Sequence, residues 1–567
     1  MKRLGALLGL AAALTLVPIA AASQTVLARV VDGATSRPTF GALAYLVDPG
    51  GVTIKNALTD ERGRALFVGI PAGRYRVRVE MIGMSTVETD LFDVMEGASV
   101  SQDVRLESSA IQLDGLEVEL DAGRCRVRPG GEGLLVAEVW DEARKALSAA
   151  AFTDDLGTYR YETMTYDRTI DRDAQVILAE EQKRREGYMR APFESRPAED
   201  LIENGFVQAD GRDRLWFAPD ASVLLSDAFL DTHCFRLVDA GTGPDGFIGL
   251  GFEPTGEDRR VADIAGELWL HPETAELQWI EFRYEYLDPE LTSPLVGGRV
   301  DFQRMPNGTW IVPEWWIRMP VLGTQTDVQR RQRAYIAQYR QTGGMVLEAR
   351  EAGGRSLGQR VETGGIEGIV TDSLGVPMRG VRVGVVGSNQ EVFTNAEGHY
   401  SVTGLTAGRY RIRFVASDLE AIGYIPEPVP RDIIRGELSY FDFHMPSIGD
   451  VLLEACEGEV VPERSVVVAG LVRDHRGRLA SRASVSIQWF LYDPDRTGST
   501  VTRTSEGFET TANDTGFFRF CGVPSGEVLQ VRAVREGLVS DPVELRLSLL
   551  DGAGLVTLEL PAPREPR

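Results

Sequence analysis

The sequence predicts a mainly β protein, with three small β-sandwich modules and a central domain that packs a curved antiparallel sheet over a helix. The first observation is a spacing of three glycines, six and then four residues apart, that occurs three times. Short alternating strands divided by Gly, Pro and Asp turns surround each copy, which is typical of sandwiches. The middle region instead has a helical stripe followed by long alternating segments. The glycine copies are Gly63, Gly69 and Gly73, then Gly398, Gly404 and Gly408, and then Gly516, Gly522 and Gly526.

The amino terminus has the three-part layout of a secretory signal peptide. Residues 1–23 begin with Met1, Lys2 and Arg3, continue as an apolar run and end in small residues at Ser23. No other stretch approaches the ~20 continuous apolar residues of a membrane span. We therefore expect an exported chain with no transmembrane segment in its mature form, located in the periplasm, at the outer membrane or outside the cell.

Length and charge limit the kinds of protein that this chain can be. Its 567 residues are too many for one core, and about three to five domains are expected. The formal net charge is -24, which opposes nonspecific attraction to nucleic acid and to anionic lipid. We expect no nucleic-acid partner, and neutral or cationic partners fit this charge better.

The repeats place the domain boundaries. After a signal peptide at 1–23, we expect sandwich modules at 24–107, 364–446 and 456–562, and the central domain at 120–350. Each module begins with a strand that ends in a turn containing Asp and Gly. The opening strands are Val26–Val31, Ile366–Thr371 and Val466–Val472.

The four cysteines are Cys125, Cys234, Cys456 and Cys521. In an exported chain, cysteines pair by default, and four cysteines allow three pairings. Because Cys125 and Cys234 bracket the middle region while Cys456 and Cys521 bracket the third module, we expect two disulfides, each within its own domain. Buried free thiols are the alternative.

A strand follows the third glycine in each copy, and in the first two copies it carries three arginines. Alternation along the strand points Tyr75, Val77 and Val79 inward and the arginines outward. The arginines could bind carboxylates of an acidic polysaccharide, or they could form a solvated strand face that discourages edge pairing. These arginines are Arg74, Arg76 and Arg78 in the first copy and Arg409, Arg411 and Arg413 in the second.

The segment from Thr59 to Val79, together with its recurrence in an exported chain, resembles carboxypeptidase regulatory-like modules. Such modules are similar to transthyretin-like or prealbumin-like β-sandwiches and to the broader carbohydrate-binding-like folds. The resemblance covers roughly half of the chain, and it implies the sandwich fold for each copy. It implies little about function, because such modules accompany peptidases, outer-membrane receptors and adhesins alike.

The middle region begins with an amphipathic segment and continues with long strands. In the segment 134–147, Val136, Val139, Trp140, Ala143 and Leu147 share a helical stripe.

Downstream, the segment 277–287 alternates, with Ile280, Phe282, Tyr284 and Tyr286 on one face. A hairpin is expected around Pro306-Asn307-Gly308.

This pattern resembles the half-barrel of periplasmic lipoprotein carriers, whose concave face holds acyl chains. By that resemblance, five tryptophans could line a cavity for lipid or another hydrophobic ligand. The alternative is that they fill the core between sheet and helix. These tryptophans are Trp269, Trp279, Trp310, Trp315 and Trp316.

The segment Ile111–Leu120 lies between the first module and the middle region. A regulatory-like module followed by such a segment is similar to the amino-terminal extension of TonB-dependent outer-membrane receptors. The chain has no room for a receptor barrel of roughly 20 strands beside the three modules. We therefore interpret the segment as a linker strand, with partner contact by strand addition as the alternative.

Motifs for catalysis are missing from the sequence. The five histidines lack metal-ligand spacing, and the His-x-x-Glu pair of a metallocarboxypeptidase does not occur. His233 stands beside Cys234, which could suggest a thiol–histidine site, but Cys234 is expected to be bridged. We expect no cofactor, no bound metal and no enzymatic activity.

The sequence therefore favours a secreted bacterial envelope protein that binds or scaffolds, with carbohydrate as the first ligand class by resemblance. A carrier of lipid through the central domain is the second hypothesis. An accessory role to a peptidase or a TonB-dependent receptor, with an envelope protein as partner, is the third.

Overall fold

The computed structural model describes residues 24–109, 126–127, 135–157, 159–211, 213–238, 243–256, 261–326, 332–351, 353–357, 362–456, 462–494, 501–549 and 552–563. The predicted signal peptide at 1–23 and the predicted linker strand at 111–120 lie outside these residues. The chain divides into two compact units. The first comprises Met1–Tyr166, Gln182–Ile336 and Gln341–Val361, and the second comprises Asp167–Glu181, Ala337–Arg340 and Glu362–Arg567.

In the first unit, the first module is a sandwich of two sheets. The order of one sheet is β4-β1-β8, in which β1 runs antiparallel to β4 and parallel to β8. The other has the order β3-β2-β5-β6, and β7 also pairs with β5. Alternate side chains such as Val26, Phe67 and Val77 fill the space between the sheets. The strands are β1 Gln24–Asp32, β2 Leu43–Val47, β3 Thr53–Leu58, β4 Arg64–Ile70, β5 Gly73–Glu80, β6 Val87–Glu88, β7 Phe92–Val94 and β8 Ser99–Leu106.

The central domain is built on a ten-stranded sheet with the order β11-β10-β22-β21-β18-β17-β16-β15-β14-β9. Two short hairpins, β12 with β13 and β19 with β20, stand beside it. The strands are β9 Arg126–Val127, β10 Arg160–Ile170, β11 Ile177–Tyr188, β12 Val207–Asp210, β13 Asp213–Trp216, β14 His233–Leu237, β15 Ile248–Pro254, β16 Asp263–Leu270, β17 Leu277–Glu285, β18 Gly297–Asp301, β19 Gln303–Arg304, β20 Trp310–Ile311, β21 Glu314–Thr326 and β22 Gln332–Arg350.

Within the described part of the central domain there are four helices, and the longest packs against the sheet. All five residues of the predicted stripe are buried, and the helix contacts β14, β15 and β17. Its Trp140 ring lies 4.8 Å from the ring of Phe235 on β14. The predicted helix over a sheet is confirmed, and it extends beyond residue 147. The helices are α1 Leu135–Leu156, α2 Ala198–Asn204, α3 Ala221–Leu225 and α4 Asp227–Thr232.

The predicted hairpin and the predicted alternation of β17 are both present, with one exception at the end of β17. The hairpin at Pro306-Asn307-Gly308 is confirmed, and Gly308 has a φ of 81° in its turn. Ile280, Phe282 and Tyr284 are buried, as predicted for one face of β17. Tyr286 is instead 42% exposed, because the strand ends at Glu285 and the backbone of Tyr286 turns with a φ of 59°.

In the second unit, the second and third modules repeat the plan of the first. In each, the opening strand lies between an antiparallel strand that carries the glycine pattern and a later parallel strand. The third module is thus a true copy, although it lacks the arginines. The elements are β23 Gly364–Thr371, β24 Arg382–Val385, β25 Glu391–Phe393, β26 His399–Leu405, β27 Gly408–Val415, α5 Ser417–Ala421, β28 Val429–Ile433, β29 Leu438–Tyr440, β30 Phe443–His444, α6 Ile448–Glu454, β31 Ser465–Arg473, β32 Ser484–Pro494, β33 Val501–Thr511, β34 Phe517–Pro524, β35 Leu529–Arg535, β36 Leu538–Val539, β37 Val543–Leu545 and β38 Ala553–Glu559.

The first glycine of each pattern ends a tight turn whose geometry explains the repeat. Gly398 donates its N–H to the carbonyl oxygen of Asn395, and the Asn395 side-chain oxygen accepts N–H groups of Glu397 and His399. The φ of Gly398 is 72°, a left-handed conformation that favours glycine. A Cβ there would lie 2.6 Å from the carbonyl oxygen of Val370. Asp60 and Asn513 make the same turn in the other two modules.

Candidate functional site

The arginines of the two predicted ladders lie on the outer faces of β5 and β27, as alternation predicts. Carboxylates of the same module approach most of them. Arg76 pairs with Glu88 at 3.0 Å, and Arg78 pairs with Glu80 at 3.2 Å. Because these charges are already compensated, the ladders resemble solvated strand faces more than vacant carboxylate-binding sites.

The remaining ladder residues differ from one another. Arg74 lies 3.5 Å from Asp93, and both side chains are largely exposed. Arg409 binds Asp432 with two hydrogen bonds of 2.7 and 2.9 Å. Arg411 is half-buried, whereas Arg413 is exposed. The two strands therefore do not present matching sets of free cations.

The five tryptophans lie on different faces of the central domain, whereas the resemblance to lipoprotein carriers implied that all five could line one cavity. Trp269 and Trp279 lie opposite each other on β16 and β17, with ring centroids 6.3 Å apart. Trp316 lies on the same face of the sheet as Trp269 and Trp279, as the pairing of β17 with β18 and of β18 with β21 shows. Trp315 belongs to the opposite face, because neighbouring residues of a strand point to opposite sides of the sheet.

Each tryptophan has its own packing partners. Arg299 stacks over Trp279 at 4.5 Å, and Arg318 lies 5.0 Å from the ring of Trp316. Trp315 packs 5.5 Å from Phe193. The backbone N–H of Trp310 donates to the Thr153 hydroxyl of α1 at 3.1 Å. Trp315 and Trp316 thus pack on opposite faces of the sheet, and Trp310 is joined to α1 through its backbone.

Histidine and cysteine at the start of β14 serve the structure. Cys234 is disulfide-bonded, and Cys125 lies outside the described residues. The His233 ring is fully buried. Its Nδ1 lies 3.1 Å from the carbonyl oxygen of Phe229, and its Nε2 lies 3.2 Å from Asp263. A thiol–histidine site is therefore not formed here, since the sulfur is bonded.

The junction between the first module and α1 is a buried network of charges that the sequence reasoning missed. Arg144 of α1 pairs with Glu80 of β5 at 2.9 Å. Lys145 pairs with Glu142 at 2.7 Å and also donates to the carbonyl oxygen of Met84 at 2.7 Å. The Glu142 carboxylate accepts the Gly83 N–H at 2.7 Å. The sequence held one sign of this network, which is that Glu142 and Lys145 stand three residues apart among alanines.

Burial and pairing oppose each other in this network. Burial raises the pKa of Glu142, although Lys145 counteracts part of the rise. For Arg144, burial would lower the pKa, but the carboxylates of Glu80 and Asp141 outweigh it and raise the pKa. Since buried ion pairs are costly to break, the network holds the first module firmly against α1.

Two clefts open where the first module meets the central domain. One has a volume of about 600 Å³ and the other about 580 Å³, and both are lined by Phe40 and Pro306. The β19–β20 hairpin is docked on the first module, since Arg304 donates to the carbonyl oxygen of Phe40 at 3.2 Å. Gly308 and Gly41 touch through their backbones, because a Cβ on Gly308 would lie 2.8 Å from the Gly41 Cα.

The larger cleft combines an apolar floor with polar groups. Leu58, Phe152 and Leu156 contribute apolar surface, and Asn56 and Glu61 stand exposed at the side of the first module. No sequence pattern marks Phe40, so this cleft was not predicted.

On the side of the central domain, the larger cleft is lined by side chains that are hydrogen-bonded to one another. Asn307 donates to the Tyr159 hydroxyl and to Glu351 at 3.3 Å each. Glu351 also accepts from Arg355, which together with Asn307 keeps the pKa of Glu351 low. The site can thus offer ring faces, amide groups and charged groups within one volume.

In the second unit, the segment Asp167–Glu181 packs on the second module through a buried carboxylate. Glu180 accepts hydrogen bonds from Thr406 at 2.8 Å and from Tyr410 at 3.1 Å. Burial, followed by the charge of Glu180, raises the pKa of Tyr410. Gly408, the third glycine of the pattern, lies close to this segment, because a Cβ there would lie 2.6 Å from the Cδ1 atom of Ile177.

Cys456 and Cys521 form a disulfide. Among the described residues, no group of three or more His, Cys, Asp or Glu side chains is arranged to hold a metal ion. A search of the described helices finds none that is both long and apolar enough to cross a membrane.

Comparison with solved structures returns pilins. BcpA, the major pilin subunit of Bacillus cereus, is 9% identical, with a TM-score of 0.14, and the match covers 95% of this chain and 99% of the pilin. A streptococcal ancillary pilin is 14% identical, with a TM-score of 0.17 and coverage of 47% and 81%. The shaft pilin SpaA from Lactobacillus rhamnosus GG is 9% identical, with a TM-score of 0.15 and coverage of 36% and 100%. Because these TM-scores are low, nothing about this chain is concluded from them.

Comparison with curated proteins finds no match. The model of the carboxypeptidase regulatory-like domain matches residues 25–107 and 365–429. These are the first two modules, which carry the glycine turns and the buried strands described above. The chain therefore contains carboxypeptidase regulatory-like domains at residues 25–107 and 365–429.

Proposed function

We propose that this protein is a non-enzymatic, exported binding and scaffold protein of the bacterial cell envelope. The regulatory-like domains support a structural or binding role, since they are present here as repeated building blocks. The Cys456–Cys521 disulfide supports export, because disulfides persist in oxidising compartments.

One observation carries the proposal: the first module and the central domain are locked together and enclose a cleft. The pair of Glu80 with Arg144 fixes the two parts, as do the hydrogen bonds that Glu142 accepts from Gly83 and that Lys145 donates to Met84. The cleft of about 600 Å³ between the first module and the central domain lies within the size range of small-molecule sites. A rigid cleft at a domain junction suits binding, because little freedom is lost when the ligand enters.

Carbohydrate is the ligand class that we propose for this cleft. The half-buried ring of Phe40 offers an apolar face, and Asn56, Glu61 and Arg355 offer donors and acceptors for hydroxyl groups. A neutral sugar is also compatible with the overall charge of -24, whereas an acidic sugar would be repelled.

The test is titration calorimetry of the mature, disulfide-intact protein with a panel of neutral oligosaccharides. We expect one or more of them to bind, and Phe40→Ala to weaken binding by about tenfold, as for an aromatic anchor. Met95→Ala is the matched control, because Met95 is 73% exposed on the first module and does not line the cleft. Binding that is equally strong in Phe40→Ala would place the site elsewhere, and failure of the whole panel would reject carbohydrate as the ligand.

Native mass spectrometry of the same preparation separates this proposal from a lipid carrier. We expect a protein mass without bound lipid. Extra mass that is released on unfolding and identified as lipid would contradict the proposal and favour the carrier.

A further inference from the structure

The third module ends one of its sheets with an unusually long and open edge strand. In the order β33-β32-β35-β36, β33 is the outermost of the strands that the structure describes. Ten of its eleven residues are exposed, and the exception, Thr510, is half-exposed. An edge strand presents unpaired N–H and C=O groups, which are a template for pairing with another strand.

The same edge is short in the other two modules. It consists of six residues in β3 and three residues in β25. In the third module, β32 pairs with β35 only from Ser484 to Gln488 but pairs with β33 as far as Pro494. The pair thus extends past the rest of its sheet.

Two common protections of an edge strand, a proline and a bulge, are missing from β33. Its sequence contains no proline, and its pairing with β32 continues through eleven residues without a register shift that would mark a bulge. Thr, Val and Phe, which favour strands, make up much of it. The edge is therefore able to accept a further strand.

We propose that β33 pairs antiparallel with β33 of a second copy of this chain. A symmetric antiparallel pair must centre on one residue, and only the register centred on Glu506 aligns all eleven residues of both strands. That register places Arg503 of each copy opposite Glu509 of the other. Opposite charges in facing positions stabilise paired strands, and here the symmetry provides two such pairs.

The positions of the charges fit this arrangement. Arg503 and Glu509 are separated by six residues, so that both side chains lie on the same face of the strand. The Arg503 guanidinium stacks 3.5 Å from the centre of the Phe490 ring, which holds it on that face. Glu506 would face its own copy, and this like-charge contact weakens the dimer.

The proposal does not depend on the cleft or on its ligand, because β33 belongs to the second unit and the cleft to the first. Failure of either proposal leaves the other intact.

The test is sedimentation equilibrium of the mature full-length protein at about 0.15 M salt, where exposed charges interact over roughly 8 Å. We expect a monomer–dimer equilibrium. Arg503→Glu and Glu509→Arg should each weaken the dimer by about tenfold, and the double variant should restore it. Glu506→Gln should strengthen it. Arg105→Glu, which changes an exposed charge of β8, is the control and should change nothing.

A protein that stays monomeric up to about 100 μM would overturn the proposal, since a weaker contact lies outside the usual range for specific association. A dimer that forms equally well in both single variants would overturn it too, as would a double variant that fails to recover. If β33 pairs with a strand of another protein and not with a second copy, the purified chain stays monomeric. Circular dichroism of each variant checks that the exposed substitutions leave the fold intact.

Discussion

Asp154, near the carboxyl end of α1, is a carboxyl group whose surroundings oppose its negative charge. Burial raises its pKa from 3.8 to about 8, and the nearby carboxylates of Asp220, Asp155 and Glu194 add to the rise, while Arg190 opposes it. The folded protein therefore favours the protonated form of Asp154 at neutral pH. Its carboxylate is one of the groups that make the fold less stable in alkaline solution.

Asp154→Asn should remove this pH dependence. Because the pKa is higher in the folded state than in the unfolded state, the contribution of Asp154 is fully present below about pH 4 and is lost as the pH rises through about 8. The gain of the variant over the natural protein should be larger at pH 9 than at pH 5, by about 1 to 3 kcal/mol. Denaturant unfolding at both pH values measures the difference.

Asp103→Asn is the matched control, because the Asp103 side chain is 74% exposed. It should give the same small change at both pH values. A gain for Asp154→Asn that is equal at pH 5 and pH 9 would show that Asp154 is ionised in the folded protein throughout this range.

At the scale of elements, α1 owes its position to two different surfaces. One surface is the predicted apolar stripe, which faces the sheet. The other carries Glu142 and Lys145, which are buried against the turn at Gly83 and Met84 of the first module. A helix buried on both sides cannot be moved without breaking one set of contacts, and the charged set is the costlier to break singly.

Lys145→Met should destabilise the first unit by about 3 kcal/mol, because it leaves the buried Glu142 carboxylate without its cation. The double variant Glu142→Gln with Lys145→Met removes both charges and should recover a substantial part of that loss. Urea unfolding followed by tryptophan fluorescence measures both values. Lys55→Met, on exposed β3, is the matched control and should change stability by less than about 0.5 kcal/mol. A double variant that is less stable than Lys145→Met would show that the loss does not come from an unpaired charge.

At the scale of the whole molecule, the sequence predicted the parts better than the contacts between them. The glycine pattern identified all three modules, because each first glycine needs a left-handed φ beside the opening strand. The resemblance to lipoprotein carriers placed the five tryptophans together, but it did not provide the strand register that puts Trp315 and Trp316 on opposite faces. Phe40 was missed for a similar reason: the cleft forms only when the β19–β20 hairpin reaches the first module. Short sequence patterns specify local turns, whereas contacts between distant segments depend on how the elements pack.

Two contacts join the second and third modules, because Cys456, which was expected within the third module, packs in the core of the second, whereas Cys521 lies on β34 of the third. The Cys456–Cys521 disulfide closes a loop with a sequence separation of 65. Independently, Val451 and Leu452 of α6 share a core with Val467 and Ala469 of β31. If this apolar contact joins the second and third modules, they should unfold together even without the disulfide.

Replacing both Cys456 and Cys521 by Ala should lower the free energy of unfolding of this unit by up to about 4 kcal/mol, the loop-entropy value for such a loop. We expect calorimetry to show its transition at a lower temperature but still as one transition, since the shared core remains. Leu452→Ala with the disulfide intact is the complementary variant, and it should lower the same transition by about 2 to 4 kcal/mol. If the cysteine variant instead shows two transitions, the disulfide and not the apolar core is what makes the two modules cooperative.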